Sequence, residues 1–276
     1  MSAQTSIHPS AVIAPGAELD SGVQVGPYAV IGPHVRIGQN TTIGPHAVIE
    51  GYTTIGCENR IFQFASVGAI PQDQKYQGED SRLHMGDRNT IREFATLNTG
   101  TTGGGMVTQV GNDNLFMVYS HVGHDCQIGD HVVMANCATL AGHVTLEDYV
   151  GVGGLVGIHQ FARIGESAYL GAGAMVSLDV PPYCMAQGDR VRLLGLNLVG
   201  LKRRGFGDAQ LGALKKAYRI LFGESLGLKE ALERVSREHA AASDEVRHLV
   251  EFISHSQRGI CRPRGNTGQE GEDELT

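Results

Sequence analysis

Every sixth residue over the first quarter of the chain is a large aliphatic one. Stepping by six from Ile7 reaches Ile13, Leu19, Val25, Ile31, Ile37, Ile43, Ile49, Ile55, Ile61 and Val67 without a miss. A second unbroken run goes from Val110 through Phe116, Val122, Ile128, Met134, Leu140, Leu146, Val152, Ile158, Ile164 and Leu170 to Val176. Between them Met85, Ile91 and Leu97 form a short third run, set off by AIPQDQKYQGEDSRLH on one side and TGTTGGG on the other. These gaps are expected to be inserted loops, near residues 69–84 and 98–109. A period of six is neither the 3.6 of an α-helix nor the 2 of a strand. It is the period of a solenoid of short strands and turns, in which the apolar residue points inward. A small or β-branched residue usually follows four positions later and packs beside it. Glycine often stands directly after the apolar residue, as in IGPHVR and IGQNTT, where it is expected to supply the positive φ of a corner.

The 38 glycines and the absence of Trp fit such a turn-rich build. With 22 Lys and Arg against 29 Asp and Glu, the chain has no electrostatic case for nucleic acid. Five widely spaced cysteines, Cys57, Cys126, Cys137, Cys184 and Cys261, contain no CxxC pair and argue against a disulfide framework or a cysteine zinc site. The N-terminus lacks a basic start followed by an apolar run, and no window reaches the roughly 18 apolar residues of a membrane span. A soluble, cytoplasmic protein without membrane insertion is expected.

The hexads resemble those of the hexapeptide-repeat acyltransferases. That resemblance implies a mainly β protein: a left-handed parallel β-helix, triangular in section, with three hexads or about 18 residues per coil. Residues 18 apart then stack, so His124 lies under Gly142 and Gly142 under Gln160, while Asp125 lies under His143 and Ala141 under His159. Of the twelve histidines, His121, His124, His143 and His159 gather in this short axial span, which points to a site. The hexads stop at DVPPY, residues 179–183. Beyond it, helical spacing recurs over Asp208–Phe222, over Leu228, Ala231, Leu232 and Val235, and over Val246, Leu249, Val250 and Ile253, the last with Ser243 as its N-cap. The expected organisation is a β-helix over 1–190, a small α-helical domain over 191–261 and a disordered tail over 262–276.

The ordered set PQDQKY, HVGHDC, NCATLAGHV, GIHQFARIG, DVPPY, AQGD, GLN and GLKRRGF runs over roughly residues 7–260. It is similar to the UDP-N-acetylglucosamine O-acyltransferases, which move a 3-hydroxyacyl chain from acyl carrier protein to the sugar 3-hydroxyl at the start of lipid A synthesis. Such transfer needs no covalent enzyme intermediate, but the hydroxyl must lose its proton as it attacks, and an imidazole suits that task. The resemblance makes His124 the general base, Asp125 the carboxylate that orients it, and the backbone N–H of Gly142 the oxyanion donor. It makes His121 and His143 contacts near the reacting groups, and His159 and Gln160 a nucleotide-binding pair. Gln72, Asp73 and Lys75 of the first inserted loop would reach sugar and phosphates across a subunit interface of a homotrimer. Asn197 and the run Lys202, Arg203, Arg204 would bind diphosphate, for which the arginine fork is suited, or steer the acidic carrier protein. No cofactor and no metal are implied.

Two positions depart from the family pattern. Val199 in NLVG stands where the family commonly has Glu, removing a carboxylate that can bind ribose hydroxyls. Ala172 takes the acyl-chain ruler position, with Tyr169 three residues earlier, and implies a medium-to-long acyl preference. Three other readings stay open at this point. The acceptor could be a 3-amino sugar nucleotide. The β-helix could carry a zinc-dependent γ-class carbonic anhydrase with His121, His124 and His143 as ligands. It could also be a non-catalytic scaffold.

Overall fold

The computed structural model describes residues 4–240 and 243–264. The hexads form a left-handed parallel β-helix with three sheets of eleven, nine and eight strands. Ser6 pairs with Gln24 and Gln24 with Thr42, which is a rung of 18 residues. The rung lengthens twice, where Arg60 pairs with Thr90 and Thr90 with Leu115, and returns to 18 where Leu115 pairs with Val133. Both insertions leave the prism after a strand of the nine-stranded sheet, Ser66–Ala69 and Thr96–Asn98, and re-enter the eight-stranded sheet at Arg82–Met85 and Val107–Val110. They therefore emerge from the same edge.

The apolar hexad residues fill the interior. Ile31, Ile49, Val67, Leu97 and Val122 stack as a column with no exposed surface, and the small residues four positions after a hexad residue, such as Ala29, Ala47 and Ala95, are equally buried. Burying such a side chain contributes about 1.5–3 kcal/mol, so the repeat itself is the core.

The corners differ from the expectation. Gly38 and Gly44, which follow hexad residues, do not adopt positive φ. That conformation belongs to the residue three positions after the hexad residue: Asn40 (57°), His46 (57°), Phe64 (61°), Tyr119 (62°) and His143 (62°) among others. Glycine is needed one position after for a different reason, which is close approach between rungs. A β-carbon on Gly38 would sit 2.6 Å from the carbonyl carbon of Gly56, one rung away. The left-handed residue costs about 1–2 kcal/mol in isolation. Here it is held by a hydrogen bond to the rung before, as with His46 N–H to Pro27 O (3.0 Å) and His143 N–H to His124 O (2.9 Å).

After the last hexad, Cys184–Gln187 adds one more parallel strand, and Arg192–Leu196 returns antiparallel to it. This hairpin has no hexad signature, and it covers the open edge on which another rung would otherwise pair. Leu193 N–H then bonds Arg262 O, so residues just after the helices lie back along this strand. Residues 265–276, most of the expected tail, lie outside the described residues.

Four α-helices follow among the described residues: α1 (Leu198–Arg203), α2 (Asp208–Gly223), α3 (Leu228–Glu238) and α4 (Asp244–Ser254). Asn197 caps α1 by accepting from Gly200 N–H, and Ser243 caps α4 by accepting from Val246 N–H. Leu211, Leu214, Leu221, Ala231, Val235, Val246 and Leu249 make a second core. It is seated on the β-helix by Arg163 stacked over Phe252 and by His248 in α4, 2.7 Å from Glu147. No described helix is long and apolar enough to cross a membrane.

Candidate active site

HVGHDC lies on the edge from which both inserted loops emerge. Val122 ends a strand of the nine-stranded sheet, Gln127 opens one of the eight-stranded sheet, and His124 and Asp125 turn the corner between them. Asp125 has φ +60°, the left-handed corner conformation, which turns its side chain back beside that of His124. The carboxylate has no exposed surface, whereas the imidazole is 15% exposed. His124 Nδ1 stands 2.8 Å from Asp125 Oδ2, leaving Nε2 on the open side. One rung above, Gly142 packs flat against the ring, and a β-carbon there would stand 2.5 Å from Nε2. The N–H of Gly142 donates to no backbone carbonyl among the described residues, although both neighbours do: Ala141 N–H bonds Ile158 O and His143 N–H bonds His124 O. A backbone donor without a backbone acceptor among the described residues thus belongs to the residue packed against the His124 ring.

Two further histidines flank the pair. His143 meets His124 edge to face with 5.0 Å between centroids, its Nε2 3.9 Å from Asp125 Oδ2, and stacks on Phe161 at 4.4 Å. Burial holds its pKa below the usual imidazole value, only partly offset by the charges of Asp125 and Asp73. His121, on the nine-stranded face, is likewise lowered by burial first and by His124 second. Its Nδ1 is 2.7 Å from Thr96 Oγ1. The two rings are therefore kept neutral near pH 7 and can act as hydrogen-bonding groups rather than as cations. Cys126, next in the motif, has its thiol pushed up to about 12 by burial and is no nucleophile.

His159 and Gln160 are exposed two rungs above His124 on this edge, and His159 Nδ1 is 3.1 Å from Gln160 O. Asp73, in the first inserted loop, is near enough to His143 for its charge to act on that ring, and Gln72 and Lys75 beside it are exposed. One edge of the prism thus collects His121, His124, Asp125, Gly142, His143, His159, Gln160 and the loop bearing Gln72, Asp73 and Lys75.

The remaining expected residues lie elsewhere. Asn197, Arg204 and Tyr169 line a cavity of about 420 Å³ on the outer face of the eleven-stranded sheet, with Tyr149, Gly151 and Gly200. In a triangular prism that face is opposite the edge carrying His124. Arg204 is held there by Glu166 at 2.8 Å, by the Ser167 hydroxyl, and by stacking on Tyr149 at 3.5 Å. Lys202 and Arg203 are exposed, as is Val199. Ala172 is exposed at the corner between the eleven- and nine-stranded sheets.

The three-histidine zinc reading is not assembled. The only group of possible metal donors whose atoms lie mutually within 4.8 Å, among the described residues, is His124, Asp125 and His143, and His121 is not part of it. Asp125 Oδ2 is already met by His124 Nδ1 and the Thr101 hydroxyl, an arrangement of hydrogen-bond donors around an acceptor. Thr96, Thr101 and Thr108, which hold the histidines and Asp125, were not singled out from the sequence; threonine in a strand or loop carries no signal until its neighbours are known.

Residues 179–261 match the family described as UDP N-acetylglucosamine O-acyltransferase, domain 2, and residues 16–51 and 108–142 match the bacterial transferase hexapeptide family of six repeats. The chain is 54% identical over 259 residues to the acyl-(acyl-carrier-protein)–UDP-N-acetylglucosamine O-acyltransferase of Janthinobacterium sp. (strain Marseille), covering 93% of this chain and 99% of the relative. It is 55% identical over 256 residues to the protein of the same name from Myxococcus xanthus, at the same coverage. The solved structure of the Francisella novicida UDP-N-acetylglucosamine acyltransferase superimposes with a TM-score of 0.90 at 41% identity, over 93% of this chain and 94% of that one.

Proposed function

The chain belongs to the UDP-N-acetylglucosamine O-acyltransferase family, and on that premise we propose that it transfers a (R)-3-hydroxyacyl chain from acyl carrier protein to the 3-hydroxyl of UDP-N-acetylglucosamine, the first step of lipid A synthesis. The observation that carries the reading is the pairing of His124 with buried Asp125 beside the N–H of Gly142. In the reaction, His124 Nε2 takes the proton of the sugar hydroxyl as that oxygen attacks the thioester carbonyl. Asp125 holds the Nδ1–H tautomer and stabilises the imidazolium. The carbonyl oxygen gains negative charge and is met by Gly142 N–H. Collapse of the tetrahedral intermediate breaks the carbon–sulfur bond, and the departing thiolate receives the proton from His124. His121 and His143, neutral by burial, contact the substrates; His159, Gln160 and the Gln72, Asp73 and Lys75 loop bind the nucleotide sugar. Asn197, Arg203 and Arg204 bind its diphosphate.

One substrate cannot span opposite sides of a prism. The Asn197 and Arg204 cavity must therefore face the His124 edge of another copy, which supports a homotrimer with sites between subunits. A ladder of stacked rings, Tyr28, His46, Phe64, Phe94 and Tyr119, runs up the edge between the eleven- and nine-stranded sheets, with Tyr28, Phe64, Phe94 and Tyr119 each at least 42% exposed. So extended an apolar ridge on a single chain supports burial against a neighbouring copy.

The deciding experiment measures transfer of 3-hydroxyacyl chains of several lengths from acyl carrier protein to UDP-N-acetylglucosamine by wild type and His124→Ala. Wild-type activity with a fall of about 10²–10⁴-fold in the variant supports the reading. Absence of transfer by folded wild type refutes it.

A further inference from the structure

We propose that Thr101, in the second inserted loop, is a positioning residue that fixes the Asp125 carboxylate and through it the imidazole of His124. The proposal rests on the acyl-transfer reading above. Thr101 donates to Asp125 twice: its backbone N–H to Oδ1 at 2.9 Å and its hydroxyl to Oδ2 at 2.6 Å. The hydroxyl thus meets the same oxygen that faces His124 Nδ1. Asp125 N–H in turn donates to the Thr108 hydroxyl at 2.8 Å, so the loop's return strand holds the backbone while its outgoing turn holds the side chain.

Gly104 of TGTTGGG follows from this contact. Gly100 and Gly104 do not have positive φ, so the turn itself does not demand them. A β-carbon on Gly104 would overlap the carboxylate, whereas one on Gly100 would first meet Met106 and Val107 of the return strand and only then Asp125 Oδ1 at 2.8 Å. The loop backbone is therefore laid directly on the buried acid, and only glycine permits it. The loop is anchored in its turn: Met106 N–H bonds Thr101 O at 2.8 Å, and Ser81 Oγ bonds Thr99 Oγ1 at 3.0 Å. Asn98 Nδ2 donates to the carbonyls of Ala69 and Ile70 at the root of the other inserted loop.

A carboxylate held at one oxygen can rotate about its bond to the chain. Held at both, it presents a fixed acceptor to Nδ1, which keeps the proton there and leaves Nε2 free to accept. Thr101 is buried and both of its donors go to Asp125, so its loss is expected to act on the chemical step and leave substrate affinity in place.

The test compares full-length wild type, Thr101→Val, Thr101→Ser and Gly104→Ala, each shown folded by circular dichroism, in steady-state transfer to UDP-N-acetylglucosamine and by ¹⁵N NMR of the His124 ring. Thr101→Val is expected to lower kcat about 10–100-fold at unchanged KM, the order of a small misplacement of a catalytic group. Its ring signals should move from a single Nδ1–H tautomer toward a mixture, and Thr101→Ser, which keeps the hydroxyl, should match wild type in both. Gly104→Ala removes no donor but displaces the carboxylate, and is expected to follow Thr101→Val; it decides the matter if the valine variant does not fold. A folded Thr101→Val or Gly104→Ala with wild-type kcat and an unchanged ring tautomer overturns the proposal. If folded wild type transfers nothing, the functional reading fails by itself, and the ring tautomer still decides the role of Thr101.

Discussion

Gly142, one rung above His124, lies so close to its ring that a β-carbon would come 2.5 Å from Nε2 and closer still to Cε1. Gly142 thus leaves room for the imidazole, and on the proposed reading its N–H is the donor that meets the developing oxyanion. Gly142→Ala keeps that N–H and, with no positive φ at the position, costs the backbone little. It must push the ring aside by about an ångström, and a shift of that size in a catalytic group costs about 100-fold in rate. The expected result is kcat reduced about 100-fold at near-normal stability, read by steady-state kinetics beside a thermal melt. A loss of activity matched by a loss of folded protein would argue instead that the glycine serves the rung.

Gly38 separates the two kinds of corner position. A methyl there meets the Gly56 peptide, which belongs to the next rung and has no room to retreat, so Gly38→Ala is expected to cost about 1–3 kcal/mol as an overpacked contact. Asn40, two residues on, holds the left-handed conformation at φ +57°, where glycine is at ease, so Asn40→Gly should be near neutral. Chemical denaturation of both variants checks the order. If Gly38→Ala proved the milder, close rung approach would not be the reason for the glycine.

That contrast also shows how far the sequence reaches. A strict period of six leaves one architecture, and the interior column of Ile31, Ile49 and Val67 is legible because each rung repeats the same inward position. The stacking of His124 under Gly142 is legible for the same reason, being a matter of counting residues. The conformation of the corners is not, because the repeat shows that glycine is favoured after Ile37 without showing whether torsion or clearance demands it. Nor is the Cys184–Gln187 and Arg192–Leu196 hairpin, whose pairing is antiparallel and leaves the period. Thr101 escapes notice because its partner Asp125 lies 24 residues away across a loop that breaks the count of 18.

On the proposed reading, Ala172 and Tyr169 set the acyl-chain length. Ala172 crosses over the rung below so closely that a β-carbon on Gly153 would stand 2.7 Å from its N, and the Tyr169 ring covers Gly151 in the same way. A chain lying along the rungs past this corner meets the Ala172 methyl. Ala172→Gly is expected to move the preferred donor to a longer acyl chain and Ala172→Leu to a shorter one. Each mismatched methylene is worth about 0.8 kcal/mol, or roughly fourfold in kcat/KM. Assays with donors of graded length read the optimum directly, and an optimum that both variants leave in place would remove Ala172 from length selection.

The seat of α4 on the β-helix is expected to depend on pH through His248. Its Nε2 lies 2.7 Å from Glu147, and that hydrogen bond, ahead of the opposing burial and the added charges of Glu147, Glu166 and Glu251, raises its pKa above the ordinary 6.5. Arg163, 3.8 Å from Glu147, is the facing cation, and Tyr183 lies edge-on to the ring. A raised folded-state pKa means that the stabilisation is complete below pH 6.5, where the unfolded chain is protonated too, and is lost as pH rises through the folded value. With the ring about one third exposed, solvent screening limits the contribution to about 1 kcal/mol. For a chain of this size that corresponds to about 2–4 °C in Tm. His248→Gln should therefore melt a few degrees below wild type at pH 6, and the two should converge by pH 9. A difference that stayed constant over this range would mean that His248 holds α4 by packing alone, since the charge it shares with Glu147 is the only part of the contact that titrates away.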